Sequence, residues 1–290
     1  MRTPETVLES LQSEEVEPWL PALSEWLLSG SPYGVEHTWP QLYRGDGRFL
    51  GVFEDGRLVS HLAWRHAELR SGERTLSAAL LGSVATDPER RGRGLAGSLL
   101  AEAVERIRSE GADVVLLWAE REDLYARCGF ESGQHEPCGL IARRPCAERV
   151  RVATSADVEA IHELHEAKPI AVRRTIDQTR RLLAIPGLVT TVLGGRGRLE
   201  AYACCGKGAD LQGWWHECGG DDEAVARLLA GSMHLLGQTR SPLLIPPYRP
   251  GLAEALQESL VERFTVRGPM RLWFDPAQKT DLYVDGLDSV

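Results

Sequence analysis

The stretch Arg91-Gly92-Arg93-Gly94-Leu95-Ala96 constrains this chain more than any other. An apolar run from Ala78 to Thr86 precedes it, and helical apolar spacing follows from Leu95 to about Arg108. Glycines at 92 and 94 permit a tight turn and a close backbone approach to a ligand, because no Cβ stands in the way. The first helical turn then offers unpaired N–H groups and the positive end of the helix dipole to an anion. Arg91 and Arg93 add charge beside those donors, and a diphosphate suits the arrangement. The stretch lacks the Gly-Lys-Ser/Thr ending of a P-loop. No acidic ribose partner is evident for a dinucleotide fingerprint around Gly92, Gly94 and Gly97. A solvated basic turn that caps a helix is the plain structural alternative.

A second stretch lies about thirty residues on. Val114 to Glu120 reads as a buried strand. It runs into Arg121-Glu122-Asp123-Leu124-Tyr125-Ala126-Arg127-Cys128-Gly129-Phe130, a short helix with a Tyr and then a Gly-Phe that opens the next strand. The first stretch resembles the R-x-x-G-x-G/A motif of the GNAT superfamily, the acetyl-CoA-dependent N-acetyltransferases. The second resembles the strand, Tyr helix and Gly-Phe of the same superfamily, in the right order and at the right separation. The resemblance covers about Glu14 to Arg144. It implies an α/β (α+β) fold, with a mixed, mostly antiparallel twisted sheet flanked by helices.

The surrounding pattern fits. Residues Glu5 to Leu28 carry apolar positions at helical spacing, which predicts two short helices with Pro18 and Pro21 near the start of the second. Arg48–Glu54 reads as a strand, Asp55-Gly56 as a hairpin turn, and Leu58–Leu69 as the returning strand. Ser71-Gly72 turns into a strand over Thr75–Thr86, which Asp87-Pro88 closes. On the helix after the loop, Leu95, Leu99, Leu100, Ala103, Val104 and Ile107 share one face.

Ala142–Arg149 reads as a linker, after which the pattern restarts. Arg151–Ala153 predicts a short strand, Ser155 a helix N-cap, and Val158, Ile161 and Leu164 a helix face. Leu188–Leu193, Leu199–Cys205 and Leu211–Cys218 read as strands, with Gly194-Gly195-Arg196-Gly197 as a turn. Glu223–Leu236 reads as a helix, Leu243–Ile245 as a strand and Leu252–Glu262 as a helix. Arg271–Phe274 and Leu282–Val284 are expected to close the sheet. The chain is thus expected to be a tandem: a catalytic GNAT domain over 1–145 and a degenerate GNAT-like copy over 150–290. In the second copy, Gly219-Gly220-Asp221-Asp222 replaces the basic loop. Two carboxylates at a helix N-terminus satisfy its dipole and repel a polyanion, so this copy is expected not to bind coenzyme A.

Composition narrows the rest. The chain has 290 residues, 43% hydrophobic and 26% charged, as in ordinary globular proteins. No apolar run is long enough for a membrane span. The polar, acidic Met1–Glu17 is neither a signal nor a transit peptide, so a cytoplasmic location is expected. The net charge of −9 disfavours nucleic acid and anionic membranes and weakly favours a cationic substrate such as an amine. The cysteines at 128, 138, 146, 204, 205 and 218 form no C-x-x-C. They read as reduced thiols, with no metal site. Monomer and homodimer are equally open.

Acetyl transfer from a thioester to an amine needs a held cofactor, a free amine and a proton for the leaving thiolate. The resemblance places backbone groups of Val84, Ala85 and Thr86 along the pantetheine arm and the acetyl carbonyl. It places the diphosphate on the loop of Arg91, Gly92, Arg93, Gly94, Leu95, Ala96 and Gly97. Glu120 and Arg121 match positions that line the cofactor arm, and Tyr125 matches the general acid; its plain alternative is a core aromatic. The general base is not readable. Glu120 is one candidate, equally a surface charge. His61 and His66 fall on opposite strand faces because their spacing is odd. His216-Glu217 is either a cleft wall or a satisfied core pair. The Leu124–Arg127 context is close to the Eis-type tandem enzymes, which carry a further C-terminal domain and use their terminal carboxylate. This chain ends at Val290, and neither feature is carried over. Two functions follow: an acetyltransferase acting on a small-molecule or peptide amine, or a non-catalytic acyl-CoA sensor.

Overall fold

A computed structural model describes residues 6–145, 148–195 and 197–290. Met1, Glu5, Cys146 and Arg196, named above, lie outside the described residues. In chain order the elements are β1 Thr6–Leu11, α1 Ser13–Val16, α2 Leu20–Leu28, α3 Val35–Thr38, β2 Arg48–Glu54, β3 Arg57–Ser71 and β4 Arg74–Thr86. Then come α4 Leu95–Ser109, β5 Val114–Leu117, α5 Glu122–Ala126, β6 His135–Ala142, β7 Val150–Val152, α6 Val158–Glu166, β8 Ile170–Val172 and α7 Ile176–Leu183. The last are β9 Val189–Gly195, β10 Arg198–Lys207, β11 Asp210–Gly220, α8 Asp222–Leu235, β12 Arg240–Leu244, α9 Pro250–Ala255, β13 Leu260–Arg267 and β14 Met270–Trp273. A π-helical turn, Leu42–Asp46, leads into β2.

Two mixed, mostly antiparallel sheets of seven strands result. The first runs β1-β2-β3-β4-β5-β14, with β8 paired to the far end of β3; the second runs β13-β6-β12-β11-β10-β9-β7. Each sheet buries both faces under helices. Leu99, Leu100, Ala103 and Ile107 of α4 meet Leu50, Leu62, Trp64, Leu81 and Val115 on one face of the first sheet. Leu23, Val35, Leu42 and Tyr43 cover Phe49 and Leu58 on its other face. In the second sheet α8 packs on Trp215 and Leu243, and α6 and α7 pack on Val192 and Tyr202.

Local signals explain the turns. Asp55 and Gly56 both have positive φ, +50° and +77°, as a two-residue hairpin of right twist requires. Gly111, at φ +83°, ends α4 through bonds from Gly111 N to Arg108 O and Ala112 N to Ile107 O.

Several expectations need correction. Val7, Leu8 and Leu11 are in a strand, because the free edge of β2 offers a full antiparallel ladder from Thr6 to Leu11; helical spacing there is incidental. Thr154, not Ser155, caps the turn before α6: its N–H and hydroxyl both donate to Asp157, which Arg151 grips with two bonds of 2.6 and 2.7 Å. The helix expected over Leu252–Glu262 stops at Ala255, and Leu260–Arg267 pairs with β6 instead. The strand after Val114 ends at Leu117. Leu282–Val284 forms no strand, although it is buried.

The sheets also exchange strands. β6 precedes the 142–149 stretch yet pairs with β12 and β13. β14 and β8 follow it yet pair with β5 and β3. Arg271–Phe274 therefore extends the first sheet, not the second.

Residues 282–289 form an irregular segment whose every residue is buried. An ionic cluster holds it. Asp288 accepts from Arg65 of β3 at 3.2 Å and from Arg174 at 2.6 and 2.9 Å. Arg174 also makes paired bonds to Glu217 of β11 at 2.7 and 2.9 Å. Lys168 donates to Asp285 at 2.9 Å, and Lys207 donates to Ser289. Burial works against the Glu217 charge, but Arg174 and Lys168 outweigh it and hold this carboxyl well below the usual range. Removing one partner from such a cluster strands a buried charge. Asp288→Asn keeps the shape but leaves Arg65 without its carboxylate, so unfolding free energy should fall by about 3–5 kcal/mol. Urea unfolding of the two proteins checks this; a change below about 1 kcal/mol would show that the cluster is not what holds the segment.

Candidate active site

β4 and β5 run parallel, but their register ends at Leu80 with Leu116. β5 stops at Leu117, and the chain turns away toward α5. β4 continues to Thr86, still paired on its other side with β3. The two strands thus open a wedge, and the β4 edge over residues 81–86 faces it with no strand partner on that side among the described residues. A bulge lies within this stretch. His61 pairs with Ala85 and Ala63 with Gly82, so Ser83 and Val84 together oppose Leu62. Ser83 has φ +53°, a conformation L-residues avoid.

The basic loop lies past the strand end. Gly92 and Gly94 have φ +78° and +79°, and a Cβ on either would meet nothing within 4 Å. The backbone angle, not crowding, requires glycine here. Gly94 is the N-cap of α4 and no side chain caps the helix, so the first-turn N–H groups of Leu95, Ala96 and Gly97 point outward from a loop whose residues 91–94 are exposed. Arg91 Nε donates to Thr86 O at 3.2 Å. Arg90 and Arg93 both reach Glu54, at 2.7 and 3.3 Å. Glu54, at the end of β2, is buried, and sequence reading missed it; a Glu that closes a strand in a chain with an arginine-rich loop was the available signal.

Of the other candidates, Val84 is half-buried and packs with Leu95 and Tyr125 on the α4 core. Ala85 is on the opposite face, in the core of Leu23 and Tyr43. Thr86 Oγ1 bonds Ser60 Oγ at 2.9 Å. Tyr125, on α5, packs edge-to-face on Phe130 with centroids 6.1 Å apart, and burial raises its phenol above the ordinary value. Glu120 and Arg121 are exposed beyond the end of β5, and Arg121 pairs with Asp123 at 3.1 Å. His61 and His66 do fall on opposite faces: His61 packs on Tyr43 and Phe49, and His66 meets Glu110 at 2.6 Å. His216 bonds Gly206 O at 2.9 Å, and Glu217 is held by Arg174. The cysteines at 128, 138, 204, 205 and 218 are all unpaired.

Sequence reading also missed the end of the buried segment. A Cβ on Gly82 would stand 2.5 Å from the Val290 carbonyl carbon, so residue 290 lies directly on β4 beside the bulge. The glycine is needed there for close approach.

The corresponding turn in the second sheet is closed. Asp221 caps α8 by accepting from Ala224 N at 2.8 Å. Arg249 clamps Asp222 at 2.8 Å and the Gly220 carbonyl at 2.8 Å. Glu217, Asp285 and His165 also present ligand atoms within 4.8 Å of one another, but Lys168 and Arg174 already supply the positive charge between them.

Residues 8–133 match the family model described as an acetyltransferase (GNAT) domain. Among solved structures, the chain is similar to a GCN5-related N-acetyltransferase from Kribbella flavida, with 19% identity, TM-score 0.69, and coverage of 94% of this chain and 72% of that one. It is also similar to a GCN5-related N-acetyltransferase from Anabaena variabilis, with 13% identity, TM-score 0.68, and coverage of 92% and 72%. Eis1 from Mycobacterium abscessus gives 16% identity, TM-score 0.62, and coverage of 93% and 73%. At these identities the likeness is one of fold. Among curated proteins none is similar enough in sequence to count as a match. Among the described residues no helix is long and apolar enough to cross a membrane.

Three buried titratable groups, His61 of β3, His216 of β11 and Glu136 of β6, set an acid dependence. Burial lowers both His61 and His216 from 6.5 to about 4. The unfolded chain takes these protons first, so stability falls as pH drops from 6.5 and the loss levels off near 4. Burial raises Glu136 to about 7. There the folded chain takes the proton first, and stability rises as pH drops from 7 toward 4.5. The effects oppose each other, with two histidines against one Glu. Glu136→Gln should therefore steepen the loss between pH 7 and 5 by about 2–3 kcal/mol. Urea midpoints at both pH values check this; equal slopes in the variant and the wild type would contradict it.

Proposed function

We propose that the chain moves an acetyl group from acetyl-CoA to a small-molecule or peptide amine, with the wedge between β4 and β5 as the cofactor site. The observation that carries the reading is the alignment of three open features along one strand. These are an unpaired β4 edge, a bulge within it, and an uncapped helix N-terminus reached through Gly92 and Gly94. An extended pantetheine arm can add to the edge as a strand would. Backbone groups of Val84, Ala85 and Thr86 then hold the arm and the acyl carbonyl. The N–H groups from Gly92 to Gly97 take the diphosphate, with Arg91 and Arg93 beside them. The amine nitrogen attacks the thioester carbon, the C–S bond breaks, and the Tyr125 hydroxyl gives its proton to the thiolate; the proton lost from the acylated nitrogen passes to water, and solvent returns one to the phenolate. The buried setting of Tyr125 keeps it protonated at neutral pH, as an acid must be. The net charge of −9 suits a cationic amine.

The second turn takes no cofactor in this reading, since Asp221 already satisfies its helix. Calorimetry should give one coenzyme A per chain. Gly94→Val strains the +79° backbone and blocks the approach of the diphosphate, so affinity should fall at least about tenfold. Two equivalent sites would refute the assignment of the closed turn, and unchanged affinity in the Gly94 variant would refute that of the loop.

Tyr125→Phe removes the proton donor and keeps the ring on Phe130. Stability and acetyl-CoA affinity should change little, while kcat with an acceptor amine should drop by about 10²-fold or more. Single-turnover kinetics measures the chemical step directly; a full rate in the Phe variant would leave Tyr125 as a packing residue.

A further inference from the structure

Ser83 stands in a conformation that its surroundings must impose. A non-glycine residue at φ +53° is strained and persists only where neighbours over-determine it. Two neighbours do so. The Tyr43 hydroxyl bonds Ser83 Oγ, and His61 Nδ1 is 3.0 Å from the Ser83 carbonyl oxygen. A carbonyl only accepts, so Nδ1 carries the proton. The other ring nitrogen, Nε2, is buried with no partner, and burial holds the ring neutral at physiological pH. The bond to Ser83 is thus the polar contact that His61 makes. Its ring stacks on Tyr43 at 6.2 Å and 18°, and Phe49 touches both rings, at 5.5 and 6.0 Å. Tyr43 comes from the π-helical turn before β2, His61 from β3, and Phe49 from β2. Two elements therefore hold one serine, with Phe49 of the third packed behind both rings, at the bulge that begins the open edge of β4.

A left-handed residue in a strand re-aims the peptide groups that follow it. Those groups belong to Val84, Ala85 and Thr86. We propose that Tyr43 and His61 are positioning residues that lock Ser83 into the bulge and thereby set the direction in which the β4 backbone meets the acyl carbonyl. This rests on the acyl-CoA reading of the wedge. Neither residue touches the cofactor in it. They act through Ser83, on the acyl end alone, because the diphosphate loop lies on the far side of Asp87 and has its own anchor in Glu54.

The test separates the acyl end from the rest of the cofactor. Three probes bind the full chain in calorimetry: coenzyme A, acetyl-CoA, and S-ethyl-CoA, which matches acetyl-CoA in size but has no carbonyl. The wild type should prefer acetyl-CoA over S-ethyl-CoA by about three- to tenfold, the worth of one well-aimed hydrogen bond. Tyr43→Phe should bring that preference to about onefold while coenzyme A affinity stays within about twofold. Ser83→Ala, which removes the other half of the same bond, carries the same expectation should the Phe variant not fold. Ser83→Gly placed on Tyr43→Phe should restore the preference, since glycine takes φ +53° without a clamp; a residue important only for packing would show no such rescue. If the wild type binds none of the three probes, the acyl-CoA reading itself falls and this inference with it. If it binds all three, the clamp alone is overturned by either of two results: no acetyl preference in the wild type, or a preference kept in both single variants.

Discussion

Asp288 is the point on which the two halves of this protein turn. One carboxylate holds Arg65 on a strand of the first sheet and Arg174, which in turn grips Glu217 on a strand of the second. All four side chains are almost fully removed from water. A cluster of this kind adds little stability over an apolar filling of the same shape. What it adds is discrimination. The segment 282–289 is buried without regular structure, and apolar contacts alone would accept it in several registers. Two carboxylates three residues apart, Asp285 and Asp288, fit Lys168 and the Arg65–Arg174 pair in one register only, because any slip strands buried charge. That register delivers residue 290 against Gly82, next to the bulge in β4.

The same local unit occurs twice in this chain with opposite outcomes. In each sheet a long strand runs through a glycine-containing turn into a helix and is followed by a parallel neighbour. In the first, the turn is exposed, the helix has no side-chain cap, and the arginines of the loop are steadied by Glu54 from the side. In the second, Asp221 caps the helix, Arg249 spans Asp222 and the Gly220 carbonyl, and Asp222 stands 2.5 Å from where a Gly251 Cβ would be. An uncapped helix start forgoes about 1 kcal/mol of local stability. A protein that leaves one of two equivalent turns uncapped keeps those donors available for something else.

The sequence made the local units readable and hid their partners. Asp55-Gly56 declared its turn because few residue pairs tolerate two positive φ values. Helix α4 was plain from six apolar positions on one face, and the glycine loop from the angles it permits. Tyr125 and its Gly-Phe stood out through their resemblance to a family signature. Strand exchange could not be read, since β6 and β14 look alike whichever sheet receives them. The helix expected over Leu252–Glu262 failed for the same reason: Leu260–Arg267 finds β6, and tertiary pairing overrides local propensity. Residues 282–289 combine Leu282, Tyr283, Val284 and Leu287 with two aspartates and read as either a strand or a solvated end. Their burial depends on Arg65, Lys168 and Arg174, which lie more than a hundred residues away. Ser83 carried no signal at all, because a serine inside an apolar strand gives no hint that its backbone is left-handed.

Strand exchange makes the wedge a product of the whole chain. β5 has four residues and meets β4 through three register pairs, Ala78, Ala79 and Leu80 with Val114, Val115 and Leu116. A strand that short is poorly fixed by one neighbour. Its other edge is covered from Val114 to Leu117 by β14, which comes from the C-terminal half, and the isolated bridge between Glu131 and Arg271 extends that grip past α5. One wall of the wedge is therefore set by residues 270–273, and the floor beside the bulge by residue 290. The C-terminal half has a closed turn of its own and still contributes to the wedge, because it supplies the strand that covers the outer edge of β5. The part of the chain that carries the recognisable motifs, residues 8–133, ends before either contribution begins.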